Sequence, residues 1–144
     1  MSYTFSHPQE LSQEKVDFIS SFYQTSDSRD VDKYLDFLTE DVDFIMGLNA
    51  VKGEAAVRKI RETMWGGVET RAHNPEKVYL GDSEANELML HGTVSYGLKN
   101  GEKIDNVGFG ARMVFASGSE LKLSRYQDGT PLSTALKKQA EQQQ

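Results

Sequence analysis

An α+β fold is what this sequence predicts: a cone-shaped α+β barrel, with three N-terminal helices packed in a strongly curved, mostly antiparallel sheet. Three observations predict it. Apolar residues recur at helical spacing as far as Gly66-Gly67, and from Lys77 onward they alternate. Asn100-Gly101 and Ser117-Gly118-Ser119 mark reversals between long extended runs. Gly92, Gly97, Gly108 and Gly110 interrupt those runs, where a curved sheet needs bends or bulges.

The first helix begins near Ser12, a good N-cap with Glu14 in the first turn. Val16, Ile19, Phe22, Tyr23 and Ser26 form its inward stripe, and Thr25-Ser26-Asp27-Ser28 ends it. Ser28 or Asp30 can cap a second helix, whose stripe is Val31, Tyr34, Leu35 and Leu38. In Val42-Asp43-Phe44-Ile45-Met46 the period becomes two, which predicts a short strand. Gly53-Glu54 open a third helix with Val57, Ile60 and Met64 facing inward, and Gly66-Gly67 close it. Four strands follow, at Val78–Leu80, Leu88–Leu98, Ile104–Phe115 and Leu121–Asp128. On the third, Asp105, Val107, Phe109, Ala111, Met113 and Phe115 share one face, and Arg112 lies on the other with Gly108 and Gly110. With no repeat and no linker, the reading is an arm at 1–11, one domain at 12–132 and a polar tail at 133–144.

The chain of 144 residues carries 16 Lys or Arg, 22 Asp or Glu, three His and no Cys. Without Cys there is no disulfide scaffold, iron–sulfur cluster or thiol nucleophile. The three His are scattered without metal-ligand spacing, so no metal is expected. A net charge of −6 with no basic run argues against nucleic acid as a partner. No apolar stretch approaches the ~18 residues of a membrane span. The N-terminus lacks the basic start and apolar core of a signal peptide, which makes a cytoplasmic location the expectation.

Several segments carry a family likeness: Ser28-Arg29-Asp30-Val31-Asp32, Leu38-Thr39-Glu40-Asp41-Val42-Asp43-Phe44, Val51-Lys52-Gly53-Glu54-Ala55-Ala56-Val57, Arg71-Ala72-His73 and Arg125-Tyr126-Gln127-Asp128. Over residues 12–132 the sequence resembles the SnoaL-like and ketosteroid-isomerase-like branch of the nuclear-transport-factor-2-like superfamily. The resemblance implies cofactor-independent acid–base chemistry inside the cone, and a homodimer formed through the convex sheet face. Two positions that hold catalytic polar groups in isomerases and scytalone dehydratases read here as Met46 and Ala111. The isomerase's helix-one Tyr reads as Phe22. Scytalone dehydratase-like proteins place a His just before the first meander strand and an Asp at the end of the first helix. His73 and Asp27 match those positions. That family's second His is unmatched, its nearest equivalents being Tyr96, Gly97 and Leu98.

Histidine titrates near neutrality, so His73 is the leading candidate to move a proton, against the alternative of a loop cap bonded to backbone. His91 falls with Met89, Thr93 and Ser95 on the face away from Leu88, Leu90, Val94 and Tyr96, and His7 lies on the arm. Tyr126 and Asp128 project to one side of the last strand, where they could converge with His73 and hold its tautomer. Asp128 could equally open the turn Asp128-Gly129-Thr130-Pro131. Asp27 and Asp105 are reserve acids or bases. Phe22, Tyr23, Met46, Met64 and Trp65 are expected along an apolar cavity wall. Tyr96, Phe109, Ala111 and Met113 complete it. The function expected is isomerisation, cyclisation or dehydration of a hydrophobic small molecule such as a polyketide or terpenoid. The alternative is a non-catalytic binding or dimerisation module of the same fold.

Overall fold

Ser12 does cap the first helix, its side chain accepting the Lys15 backbone N–H at 3.3 Å. The computed structural model describes residues 3–129, so the boundary at 132 and the tail at 133–144 lie outside the described residues. The elements are α1 (Gln13–Ser26), α2 (Val31–Leu35), β1 (Leu38–Met46), β2 (Asn49–Lys52), α3 (Glu54–Gly67), β3 (Val68–Leu80), β4 (Glu87–Leu98), β5 (Lys103–Phe115) and β6 (Leu123–Asp128). The strands form one sheet in the order β2-β1-β6-β5-β4-β3. Only the β1–β6 pair is parallel. The α+β expectation holds: a curved open sheet lies against three helices.

Asp30 rather than Ser28 caps α2, accepting from the Lys33 N–H at 3.0 Å. That helix is only five residues long, and Leu38, placed by its spacing on the helix stripe, is fully buried as the first residue of β1. β2 escaped the sequence pattern. Its residues are mostly exposed, and its pairing is a hairpin with β1 between Asp43–Lys52 and Met46–Asn49.

The larger correction concerns β3, which starts ten residues before Val78. Gly66-Gly67 lead into the strand with no intervening loop. Its inward positions are Val68, Arg71, His73, Pro75 and Val78, with register shifts between Val68 and Thr70 and between Pro75 and Lys77. Two charged or polar side chains and a proline on the buried face hide the alternation. At the second shift β4 carries Gly92, packed directly against the β3 backbone. The Asn100-Gly101 reversal is also wider than a two-residue turn: Gly101 has φ +90°, Asn100 does not have positive φ, and the loop spans Lys99–Glu102.

One face of α1 fills the concave side of the sheet. Phe22 is fully buried, with its ring 5.2 Å from Tyr23 and Tyr34, 5.6 Å from Phe37 and 5.0 Å from Tyr126. These rings join α1, α2 and β6 into one aromatic core, each contact adding to area burial. The arm is pinned as well. The Tyr3 N–H donates to Ser20 Oγ, Ser6 pairs in parallel with Lys77, and Leu11 is buried.

Glycine positions test this geometry with opposite signs. A Cβ on Gly92 would collide with the Asn74 carbonyl and come within 2.9 Å of Pro75 Cα, whereas one on Gly66 meets open space. Gly92→Ala should lower stability by ~1–3 kcal/mol through backbone crowding. Gly66→Ala, in α3, should raise it by up to about 1 kcal/mol by restricting the unfolded chain. Urea denaturation midpoints check both.

Candidate functional site

A strand places residues i and i+2 on one face, so the extension of β3 puts Arg71 and His73 side by side in the interior. They are 7% and 2% exposed. Asp27, at the C-cap of α1, turns its carboxylate toward β3. Its Oδ2 accepts the His73 backbone N–H at 2.8 Å and the Tyr3 hydroxyl at 2.6 Å, and its Oδ1 lies 2.6 Å from His73 Nδ1.

A carboxylate at Nδ1 fixes the imidazole tautomer, with the proton on Nδ1 and the lone pair on Nε2. Burial drives the His73 pKa down to about 4, and the nearby Arg71 charge pushes the same way. Asp27 opposes both without overcoming them. For Asp27 itself burial would raise the pKa, but the His73 contacts and the Tyr3 hydroxyl hold it below the ordinary carboxylate value. The resting pair at neutral pH is therefore carboxylate and neutral imidazole.

A second polar pair lies on β6. The Tyr126 hydroxyl donates to Asp128 Oδ2 at 3.1 Å and lies 3.1 Å from the Tyr23 hydroxyl. Asp128 is 2% exposed, and its Oδ1 has no partner. Burial lifts its pKa to about 6, against the Arg71 charge and the Tyr126 hydrogen bond. Burial also holds Tyr23 and Tyr126 well above the usual phenol value, so both stay protonated. The two pairs share neighbours. The Tyr23 ring lies 4.8 Å from the His73 ring, and Phe109 lies 5.1 Å from His73 and 5.7 Å from Tyr23.

His73 was expected in a loop ahead of the first meander strand and stands inside β3 instead. Its carboxylate partner is Asp27, not Asp128, which bonds Tyr126. Asp105 was expected at the head of the apolar face, a strand-end rim position from which it could still point at a ligand. Asn106, with φ +54°, sits where the β4–β5 register shifts, so Ile104 rather than Asp105 pairs with Tyr96. Asp105 is exposed and lines a surface pocket with Thr70, Ala72 and Ser95, away from His73. Phe22, Tyr23, Tyr96, Phe109, Ala111 and Met113 are buried, and Met46 is half-buried. Half-buried Met64 brings its Sδ to 4.0 Å from Arg71 Nη1. Trp65 is buried, with the Arg29 guanidinium stacked over its ring at 4.6 Å.

In the sheet register Met46 and Ala111 both pair with Asp128. A carboxylate thus stands between these two apolar positions, one strand over from each. Arg71 and Tyr3 are the polar neighbours the sequence reading missed. Reading β3 from Val68 would have exposed Arg71 through its spacing from His73. Nothing local marks Tyr3.

Comparison with known proteins agrees with this architecture. A family model for the SnoaL-like domain matches residues 19–119. Among solved structures, a candidate polyketide cyclase from Xanthomonas campestris pv. campestris is similar with TM-score 0.68 and 17% identity, over 85% of this chain and 93% of that one. An NTF2-like protein of unknown function from Burkholderia pseudomallei K96243 gives TM-score 0.73 and 13% identity, over 88% and 97%. TerC, co-crystallised with polyporic acid, gives 0.69 and 14%, over 85% and 95%. No curated protein matches the chain.

The two shifted groups act on stability in opposite directions. His73 falls from 6.5 to about 4, so the unfolded chain binds the extra proton between those values, and its contribution is lost as pH falls through 4. Asp128 rises from 3.8 to about 6, so the native state binds the extra proton, and its contribution is lost as pH rises through 6. Each is worth on the order of 3 kcal/mol, and they largely cancel between pH 4 and 6. Relative to wild type, His73→Gln should lose stability as pH rises across that window, and Asp128→Asn should gain it. Urea titrations at several pH values read the slopes; profiles parallel to wild type for both variants would refute the assignment.

Proposed function

The chain belongs to the SnoaL-like family, and we propose that it is a cofactor-independent enzyme moving a proton on a hydrophobic small molecule of the aromatic polyketide kind. Isomerisation, cyclisation and dehydration all begin with such a step. The observation that carries this reading is the unpartnered Oδ1 of Asp128, buried among aromatic rings with a neutral imidazole whose Nδ1 is tied to Asp27. A general base works best with a pKa near the working pH, and Asp128, at about 6, meets that condition better than His73, at about 4. Asp128 therefore takes the proton, and His73, whose Nε2 faces Arg71 Nη2 at 3.4 Å, stands beside it as a neutral imidazole. Two titratable groups with their affinities pushed apart are what divides acid and base roles at one pH.

The second reading, a non-catalytic binding module, draws support from Met46 and Ala111. Asp128 between those two positions weighs against it, since a carboxylate still reaches that part of the interior.

Proton–deuterium exchange next to the carbonyl of 2-tetralone, followed by NMR, tests the first reading. Wild-type protein should accelerate exchange with a limb near pH 6. Asp128→Asn should remove the limb and slow exchange ~10²-fold or more, while His73→Gln slows it and keeps the limb. A limb that vanishes with His73→Gln and survives Asp128→Asn would make His73 the base. Wild-type exchange no faster than buffer, for a ketone that raises the melting temperature, would favour the binding module.

A further inference from the structure

Arg71 is buried as a cation, yet no ion pair among the described residues includes it. Its Nη2 lies 3.4 Å from His73 Nε2, its Nη1 meets only the Met64 sulfur, and its Nε has no partner. Directly across the β3–β4 ladder stands Tyr96, 2% exposed, whose hydroxyl is also unpartnered. The guanidinium carbon is 5.9 Å from the Tyr96 ring centre. Asp128 Oδ1 is a further orphan, and the Arg71 charge acts on Asp128; Arg61 Nε and Trp65 Nε1, also without partners, belong to α3. A buried cation and two buried hydroxyl or carboxylate oxygens left unpaired are expensive unless a ligand completes them.

The chemistry of the three orphans defines the missing group. Arg71 Nε–H and the Tyr96 O–H are donors and call for an anionic acceptor; Asp128 Oδ1 is an acceptor and calls for a proton. The charge of this interior is otherwise even, buried Arg61 and Arg71 against buried Asp128 and partly buried Asp27. An anion arriving alone would leave the interior one charge negative; an anion arriving with its proton would not.

We propose that this interior binds a weak oxygen acid on an aromatic skeleton, an enol, phenol or carboxylic acid, with its O–H bond broken, the oxyanion on Arg71 and Tyr96, and the proton on Asp128 Oδ1. Phe109 and Tyr23 supply ring surface beside it. The inference rests on reading this interior as the ligand site, and adds the charge of the ligand and the residues that choose it. Arg71 and Tyr96 become specificity determinants for an ionised oxygen.

Calorimetry with 2-naphthoate and its neutral isostere 2-naphthamide at pH 7.5 tests it. Wild-type protein should prefer naphthoate by ~10-fold or more, since hydrogen bonds to charged groups are worth at least one decade. Naphthoate enters already ionised, so buffers of different ionisation heat should reveal uptake of close to one proton, lost in Asp128→Asn. Arg71→Gln should abolish the preference. Tyr96→Phe, which removes a hydroxyl with no partner, should fold normally and narrow it several-fold. Equal wild-type affinity for the two probes, or a preference kept in both variants, overturns the proposal and leaves the ligand-site reading standing. No binding of either probe overturns both.

Discussion

The Asp27 carboxylate is the joint on which the rest of the site depends. Asp27 ends α1 through its backbone N–H, while all three hydrogen bonds its side chain accepts come from elsewhere, two from His73 and one from Tyr3. By holding the His73 backbone as well as its ring, it sets the height at which β3 passes the helix. Arg61 braces the same corner. It is 1% exposed, donates to the Ser26 carbonyl at 2.6 Å, and lies 4.1 Å from the Tyr34 ring. A misplaced α1 end would therefore disturb the imidazole tautomer, the strand register and the aromatic core together.

The fold was legible because its cues are local. Ser12, Asp30 and Gly53 stand where the helices begin, and the alternation on β4 and β5 separates buried Leu88, Leu90 and Val94 from exposed Met89 and His91. The first half of β3 was not legible, because a strand that buries Arg, His and Pro violates the pattern by which strands are recognised. The site shares that blind spot. His73, Asp27, Tyr126 and Asp128 could be singled out as chemistry-bearing residues, but which carboxylate meets the imidazole is decided by where α1 ends in space. Asp105 shows the converse: two-residue periodicity put it at the head of the apolar face, and a single bulge at Asn106 put it out. Tyr3 lies 24 positions from its acceptor, with no pattern connecting them.

Met46 and Ala111 flank the one carboxylate on the inward face of β6. Parallel pairing of β1 with β6 and antiparallel pairing of β6 with β5 bring Met46, Asp128 and Ala111 into one row across the sheet. Neighbours in such a row stand one strand spacing apart, about 4.8 Å. Tyr126, two residues back on the same face, supplies the hydrogen bond that the Asp128 carboxylate needs.

The segment recognised by family similarity runs from 19 to 119, and the polar network overruns it at both ends. Tyr3 precedes it; Tyr126 and Asp128 follow it. The matched segment holds Asp27, Arg71 and His73, while the flanks deliver one donor and one carboxylate. Changes confined to the flanks would therefore alter the polarity of this interior without touching any residue of the matched segment.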